Sequence, residues 1–140
     1  MRAAARPYGV PAGAVVTLAF VDDLAMRDLN RRFRRSDKTT DVLSFGEALP
    51  PGVCGAAAAR RLAPDPDGVI RLGDVVVSAA QAARQARRRR WPLASEVAFL
   101  AAHGVLHLLG FDDQTQGGYR EMLALGRQAV AAAHQHRVNR

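Results

Sequence analysis

Residues 103–113 have the sequence HGVLHLLGFDD, a largely apolar stretch with two histidines four residues apart and two aspartates at its end. From about Pro92 or Ser95 to Leu109 the sequence is apolar on nearly every side of a helix, which predicts a central, buried helix. Gly110 ends this helix as its C′ residue, since glycine accepts the left-handed backbone of that position. Buried imidazoles and carboxylates need partners, because an unpaired polar group destabilises a core. The stretch therefore predicts a polar site at the end of a core helix.

The sequence before this helix predicts a small β-sheet. Segments 14–20 and 39–46 are rich in β-branched and apolar residues, which predicts a strand in each. Segment 69–78 has the same composition, but Gly73 interrupts it and predicts a kink between two strands. Strands that mostly precede the long helices indicate an α+β fold, in which a mostly four-stranded sheet packs against about four to five helices.

Capping residues and helical periodicity predict the remaining elements. Asp22 or Asp23 can cap a helix that ends at about Arg34, and Ser78 is placed to cap the helix after the last strand. Proline, glycine and alanine dominate residues 47–68 without any regular period, which predicts a mobile loop. The predicted helices span about 22–34, 79–90, 92–109 and 118 onward.

Composition indicates a globular protein of a reducing compartment. Cys54 is the single cysteine, which excludes an internal disulfide and a zinc site built from paired cysteines. No apolar run reaches the roughly 18 residues of a membrane span, and Pro7 and Pro11 argue against an export signal. We therefore expect a cytoplasmic protein that does not enter a membrane and that forms a single domain over 1–140.

The net charge of +7 indicates a polyanionic partner. Arginine binds phosphate in a bidentate manner, and basic clusters displace the counterions of nucleic acids. A solvated helix face is the default interpretation of each cluster, and an arginine-rich genome would give the same excess. Charge alone therefore leaves both interpretations open. The clusters are Arg31, Arg32, Arg34, Arg35 and Lys38, and Arg87 to Arg90.

The spacing of the polar residues around Gly110 predicts a metal site. His103 and His107 stand at positions i and i+4, so one helix face presents both rings to one ion. The turn at Gly110 lets Asp113 return to the same ion as an oxygen ligand. Three protein ligands with an open position are typical of a catalytic metal site. The imidazoles favour zinc as the ion, and the carboxylate also admits manganese, iron or nickel. The alternative is a pair of core histidines that bond to backbone or acidic groups.

A metal ion held in this way favours hydrolysis, because it lowers the pKa of its bound water toward neutrality. Zinc peptidases of the H-E-x-x-H type place a glutamate after the first histidine as general base, whereas this chain has Gly104 there. The abundant arginines suit the charge of a phosphodiester transition state instead. We therefore expect a nuclease. His134 and His136, near the polar C-terminus, receive no role.

Three motifs resemble the YbeY family of bacterial endoribonucleases, or rRNA maturation factors. Residues 103–113 match its H-G-x-L-H-L-x-G-Y-D-H, 29–45 (LNRRFRRSDKTTDVLSF) its L-N-x-x-Y-R-x-x-D-x-P-T-D-V-L-S-F, and 72–78 (LGDVVVS) its L-G-D-I-x-I-S. Thr39 stands where the family motif has proline, and Asp113 where it has a third histidine. A carboxylate gives zinc more charge than an imidazole does, so the bound water should be less acidic here.

This resemblance implies a zincin-like α+β fold, with the metal on the central helix and the turn after it. It implies cleavage of single-stranded RNA in 16S rRNA 3′-end maturation and ribosome quality control, with a small-subunit ribosomal protein and the GTPase Era as partners. Arg34 matches the functional arginine that faces the metal across the cleft, where its guanidinium could hold the scissile phosphate. Its alternative role is an ion pair with Asp37 or Asp41. The residues expected to bind RNA are Arg31, Arg35 and Lys38.

Two other functions stay open at this point. A non-catalytic ribosome-assembly factor would use a structural metal and bind rRNA through its arginines, which the missing general base and Asp113 favour. A metallopeptidase is the third candidate, and Gly104 counts against it. Asp74, on the strand expected to line the cleft, is interpreted as structural.

Overall fold

The structure is a computed structural model, which describes residues 1–34 and 40–139. The strands in these ranges are β1 (Val15–Val21), β2 (Val42–Gly46) and β3 (Arg71–Ser78). The helices are α1 (Arg2–Ala5), α2 (Asp23–Arg34), α3 (Ala56–Ala59), α4 (Ala79–Arg89), α5 (Leu93–Leu108) and α6 (Gln116–Val138), with a 3-10 helix at Arg6–Tyr8. The predicted α+β class is confirmed.

β3 lies at the centre of the sheet, whose strand order is β1-β3-β2. β1 runs parallel to β3 and β2 runs antiparallel to it, so that Leu18 and Ser44 flank Val75. Val75 and Val77 are fully buried, and Val76 between them is buried as well. A strand that is covered on both faces has a continuous apolar run rather than an alternating one, which explains three successive valines.

The prediction of a fourth strand is wrong, because β3 continues through Gly73. Gly73 pairs with Val16 on one side and with Gly46 on the other, at a φ of +139°. A Cβ atom at this position would collide with the carbonyl oxygen of Phe45. The glycine therefore permits the close approach of β2, and the sheet formed by the described residues has three strands.

Two short helices lie where the sequence predicted none. α3 falls within 47–68 and buries Ala58 and Ala59, and α1 near the N-terminus buries Ala4. A helix of one turn is too short to show a helical period in the sequence. The remainder of 47–68 consists of turns and irregular structure. Its mobility stays a prediction, as does the single domain over 1–140.

Both predicted N-caps are confirmed. Asp22 Oδ1 accepts a hydrogen bond of 2.8 Å from the backbone N–H of Ala25 and caps α2. Ser78 Oγ accepts one of 3.2 Å from the N–H of Gln81 and caps α4. The Ser78 hydroxyl also donates to Asp23 Oδ1 at 3.2 Å. The starts of α2 and α4 are thereby tied together beside the end of β3.

α5 is the buried central helix, as predicted. Val105 and Leu106 in its last turns are almost completely inaccessible. Glu96 in its first turn is fully buried, and its carboxylate accepts hydrogen bonds from Trp91 Nε1 at 2.7 Å and from Arg89 at 3.1 Å. The helix dipole also favours a negative charge at this end. No helix within the described ranges, α5 included, is long and apolar enough to cross a membrane.

Gly104 determines how closely α5 approaches the sheet. A Cβ atom there would overlap Cγ1 of Val75 and lie 2.9 Å from its Cγ2. The Ser44 hydroxyl donates a hydrogen bond of 2.9 Å to the Gly104 carbonyl, so the helix contacts β2 as well. The position that carries the general base in H-E-x-x-H peptidases therefore faces the sheet in this chain.

We expect Gly104→Ala to lower the free energy of unfolding by about 1–3 kcal/mol, because the added methyl group must displace Val75 or the helix. The steric cost should outweigh the roughly 1 kcal/mol by which alanine stabilises a helix relative to glycine. The matched control is Gly117→Ala in α6, where the new Cβ meets nothing within 4 Å; it should be neutral or stabilising. Urea unfolding of both variants measures the difference, and equal stabilities would contradict the close helix-to-sheet contact.

Candidate metal centre

The three predicted ligands meet at the C-terminal end of α5. His103 Nε2 and His107 Nε2 lie 3.1 Å apart. Asp113 Oδ2 lies 3.3 Å from the first of these nitrogens and 3.4 Å from the second. The side chains are 12%, 22% and 36% exposed, respectively. The structure thus brings together the two histidines and the aspartate in a partly buried triangle, the arrangement that their spacing predicted.

This triangle has the size of one face of a metal coordination tetrahedron. Ligand atoms about 2.1 Å from a zinc ion at tetrahedral angles lie about 3.4 Å from one another. The three observed separations of 3.1, 3.3 and 3.4 Å agree with that value. Two imidazole nitrogens and one carboxylate oxygen also form a donor set that suits zinc and other divalent transition metals. The residues present therefore fit a metal ion.

The turn after α5 brings Asp113 back to the histidines. Gly110 has a φ of +86°, and its N–H donates to the His107 carbonyl at 3.0 Å. The N–H of Phe111 donates to the Leu106 carbonyl at 3.1 Å. These two bonds form a Schellman motif, which satisfies the free carbonyls at the helix end and reverses the chain. The prediction that Gly110 ends the helix and redirects the chain is confirmed.

The same turn orients the ring of His107. Its Nδ1 lies 3.0 Å from the carbonyl oxygen of Phe111. A carbonyl can only accept, so Nδ1 donates this hydrogen bond, and in the neutral ring the lone pair of Nε2 is then directed at His103 and Asp113. This is the tautomer that a metal ligand requires. The sequence did not reveal this contact, because the partner is a backbone group that any residue supplies.

The surroundings of His103 favour its neutral form. Burial lowers the pKa of His103, the neighbouring His107 lowers it further, and Asp113 acts in the opposite direction. A neutral imidazole is the form that binds a metal. Its Nδ1 is buried and has no hydrogen-bond partner among the described residues. The Phe99 ring lies beside it, with centroids 6.2 Å apart.

A cleft of about 180 Å³ adjoins His107, and Arg34 from the end of α2 lies on its wall. Arg34 forms no hydrogen bond or ion pair with any residue in the described ranges. The alternative pair with Asp41 is absent, since Asp41 accepts a hydrogen bond from Gln85 at 3.1 Å instead. Asp37 lies outside the described residues. Arg34 is thus the predicted arginine that the structure brings to the candidate site.

Of the residues predicted to bind RNA, Arg31 is described by the structure and does not line this cleft. Arg31 is exposed on α2 and forms an ion pair of 2.8 Å with Asp28. Arg35 and Lys38 lie outside the described residues. Glu47, which sequence reasoning missed, lines the same cleft as Arg34 and His107. No periodicity or motif marked it, because it follows a strand in an irregular segment.

The remaining histidines lie apart from this centre. His134 and His136 are exposed on α6. Within the described ranges, the group of metal-ligating side chains that converge is His103, His107 and Asp113.

Comparisons with known proteins place these features in one family. The family model described as Endoribonuclease YbeY matches residues 1–134. Curated proteins named Endoribonuclease YbeY are similar along most of the chain: 45% identity over 125 residues in Moorella thermoacetica, and 36% over 133 residues in Bacillus cereus. These alignments cover 89% and 92% of this chain, and 76% and 79% of the two relatives.

One solved structure supports the fold independently of close sequence similarity. The solution structure of TM1509 from Thermotoga maritima superposes with a TM-score of 0.54 at 18% sequence identity. The match covers 96% of this chain and 79% of the other. At this level of identity the likeness concerns the fold alone, and it agrees with the α+β arrangement of the described elements.

The turn at Gly110 offers a test of how the site is built. A Cβ atom at Gly110 would overlap the Val53 carbonyl and lie 3.1 Å from Cδ1 of Leu49, whereas one at Gly68, with a similar φ of +81°, meets nothing within 4 Å. Both Gly→Ala variants carry the cost of about 1–2 kcal/mol for a left-handed alanine. We expect Gly110→Ala to lose about 1–3 kcal/mol more. Equal losses in chemical unfolding would show that packing of 47–55 does not fix this turn.

Proposed function

This chain belongs to the YbeY endoribonuclease family, and on that premise we propose that it is a metal-dependent hydrolase of single-stranded RNA. The observation that carries the proposal is the convergence of His103 Nε2, His107 Nε2 and Asp113 Oδ2 within 3.1–3.4 Å of one another, beside a cleft that Arg34 lines. A hydrolytic site needs metal ligands with an accessible side, and a phosphodiester needs a cation next to it. Both occur here in one place.

In this proposal His103, His107 and Asp113 hold one divalent ion, with zinc as the first choice. When bound, such an ion supplies Lewis-acid chemistry and lowers the pKa of water toward neutrality. Asp113 adds a negative charge to the ligand set, where a third imidazole would be neutral, so the site is a weaker Lewis acid. We therefore expect its activity to require a higher pH than that of a site with three histidines.

Arg34 has the role of holding the scissile phosphate. Its guanidinium keeps its charge at any physiological pH and can bind two phosphate oxygens at once. Arg34 lines the cleft together with His107 and is exposed to incoming substrate. It has no hydrogen bond or ion pair to a described residue that would have to break before it binds phosphate. A fixed cation at this place stabilises the charge that develops on the phosphoryl oxygens in the transition state.

The proposed RNA strand also contacts the basic end of α2. Arg31 is paired with Asp28 in a solvent-exposed ion pair, which is weak and exchanges readily for a phosphate. Arg35 and Lys38 lie within four residues of the end of α2 in the sequence. Contacts of this type bind the backbone without reading the bases, so they add affinity rather than sequence preference.

The biological substrate that we propose is the 16S rRNA precursor, cleaved during 3′-end maturation and ribosome quality control in the cytoplasm. A small-subunit ribosomal protein and the GTPase Era are the proposed protein partners. The name shared by the relatives supports RNA as the substrate, and the motif resemblance supports the more specific role. The net charge of +7 agrees with a polyanionic substrate.

Metal content tests the ligand set directly. We expect wild-type protein to carry about one equivalent of a divalent transition metal, and His103→Ala and Asp113→Ala to lose most of it. His134→Ala removes an exposed histidine outside the site and should keep the metal. Asp113→His replaces one ligand type with another and should keep it as well. Elemental analysis of the purified proteins measures this, and equal metal in all five would refute the site.

The same variants separate catalysis from a structural metal. If the ligand variants keep their melting temperature but no longer cleave a defined single-stranded RNA, the metal is catalytic. If instead they unfold and the wild type cleaves no RNA, the protein is a non-catalytic assembly factor and the proposed activity is wrong. The metallopeptidase alternative lacks support, because Gly104 faces β3 and supplies no general base.

Arg34→Ala should lower the rate of RNA cleavage by about 10²–10³-fold, the usual effect of removing one group that stabilises a transition-state oxyanion. Its stability should change by less than about 0.5 kcal/mol, because the side chain is exposed. The matched control is Arg32→Ala on the same turn of α2, which pairs with Asp28 at 3.1 Å and does not line the cleft. Steady-state cleavage assays compare the two, and an Arg34→Ala protein as active as the control would contradict this role.

A further inference from the structure

A second, larger cleft continues from the metal centre along the surface. It has a volume of about 370 Å³ and shares Gly46, Glu47 and Leu108 with the cleft beside His107. Its walls come from the end of β2, the start of β3, the end of α5 and the segment around α3. A volume of this size falls at the lower end of the range of about 300–1,000 Å³ for small-molecule sites. Neither the motifs nor the metal chemistry accounts for it.

Part of the lining of this cleft is apolar, and we call the leucines in it the leucine wall. Leu49 and Leu62 line it from the segment around α3, Leu72 from β3 and Leu108 from α5. Leucines contributed by three separate parts of the chain form a surface that can pack against the face of a flat, poorly hydrated group. Because leucine side chains offer no hydrogen bonds, such a wall does not distinguish one base from another.

Arg61 is an available cation in the lining of this cleft. It is exposed and forms no hydrogen bond or ion pair with any residue in the described part of the chain. Arg71 lines the same cleft but is already engaged, with ion pairs of 2.8 Å to Asp65 and 2.7 Å to Asp67. This contact lowers the pKa of Asp67 to about 2. Arg61 is therefore the free guanidinium of the larger cleft.

The charges alternate along the two joined clefts. Arg34 lines the smaller cleft, Arg61 lines the larger cleft, and Glu47 lies at the junction between them. An RNA strand alternates in the same way, since its phosphates are anionic and each ribose between them carries a 2′-hydroxyl that can donate a hydrogen bond. A carboxylate between two guanidinium groups repels phosphate and accepts from a hydroxyl. The order cation, carboxylate, cation is thus complementary to phosphate, ribose, phosphate.

We propose that the larger cleft is a nucleotide subsite, in which Arg61 binds the phosphate next to the scissile one and the leucine wall packs against the intervening base. This inference rests on the proposed function, because it places the scissile phosphate at Arg34. It assigns the segment around α3 to substrate binding, although the sequence marked that segment only as a loop.

The test compares two adjacent arginines. Arg60 and Arg61 are both exposed and contribute the same charge, but Arg61 lines the cleft and Arg60 does not. Each is changed to alanine in metal-loaded Arg34→Ala protein, in which slow cleavage leaves the RNA largely intact during the measurement. Binding of a fluorescent single-stranded RNA of about ten nucleotides is followed by anisotropy. We expect Arg61→Ala to weaken binding about tenfold, as for loss of a charge-assisted hydrogen bond, and Arg60→Ala less than about twofold.

Cleavage kinetics and an RNA with an abasic nucleotide test the two parts of the subsite separately. In otherwise wild-type protein, Arg61→Ala should raise KM for RNA cleavage and leave kcat nearly unchanged, since the contact is made before and during the reaction alike. An abasic nucleotide, placed at each position of the RNA in turn, should weaken binding at one position, and Leu62→Ala should remove that effect. Leu62→Ala is checked by circular dichroism, and Leu49→Ala provides a second variant of the same wall.

The outcomes distinguish the subsite from the activity. If Arg61→Ala and Arg60→Ala weaken binding equally, the subsite is wrong, whether or not the protein cleaves RNA. If Arg61→Ala weakens RNA binding and Arg60→Ala does not, but wild-type protein cleaves no RNA, the nucleotide subsite stands and the proposed nuclease function fails. The proposal would also be overturned if RNA binding depended on neither Arg60 nor Arg61 and the cleft bound a peptide instead.

Discussion

The contact between Gly104 and Val75 is the constraint on which the candidate site depends. A helix that bore any side chain at this position could not lie against β3 as α5 does, because a Cβ atom would overlap the valine. With the Gly104 face fixed on the sheet and the Ser44 hydroxyl bound to its carbonyl, the rotation of α5 about its axis is fixed too. His103 and His107 then lie beside this contact, where Asp113 meets them. The core packing thus positions the imidazoles.

The third member of the site depends on a different kind of contact. Asp113 reaches the histidines because the chain reverses at Gly110, and this glycine packs directly against the Val53 backbone. Gly55, which lies in the same segment as Val53, donates a hydrogen bond of 2.8 Å from its N–H to the Leu109 carbonyl. The irregular chain between β2 and α3 therefore braces the metal turn on one side and lines the larger cleft on the other. One segment supports the metal site and shapes the proposed RNA path.

Local chemistry made much of this predictable from the sequence. The caps at Asp22 and Ser78, the buried α5, the left-handed Gly110 and the meeting of the two histidines with Asp113 all follow from signals within a few residues of each element. The failures share a cause, since each depended on contacts distant in sequence. The sequence around Gly73 indicated a break in the strand, because the close approach of β2 is not visible locally. The single turn of α3 is too short to show a helical period. The partner of His107 Nδ1 is a backbone carbonyl, which no residue type marks. The clefts arise from several elements at once, so Glu47 and Arg61 carried no local mark.

In the proposed function, the distribution of charge separates metal binding from RNA binding. Neutral His103 and His107 add no charge to a bound divalent ion, and Asp113 cancels part of it, so the loaded centre attracts phosphate less strongly than one with three imidazoles. Arg34 and Arg61, by contrast, keep their charges whether or not metal is present. In this proposal the attraction between the cleft and a phosphate backbone rests chiefly on the guanidinium groups, whereas a bound ion would supply Lewis-acid chemistry at the bond to be broken. Substitution of Arg61 should then change affinity with the metal in place, whereas substitutions at the metal ligands should change the reaction with affinity largely retained.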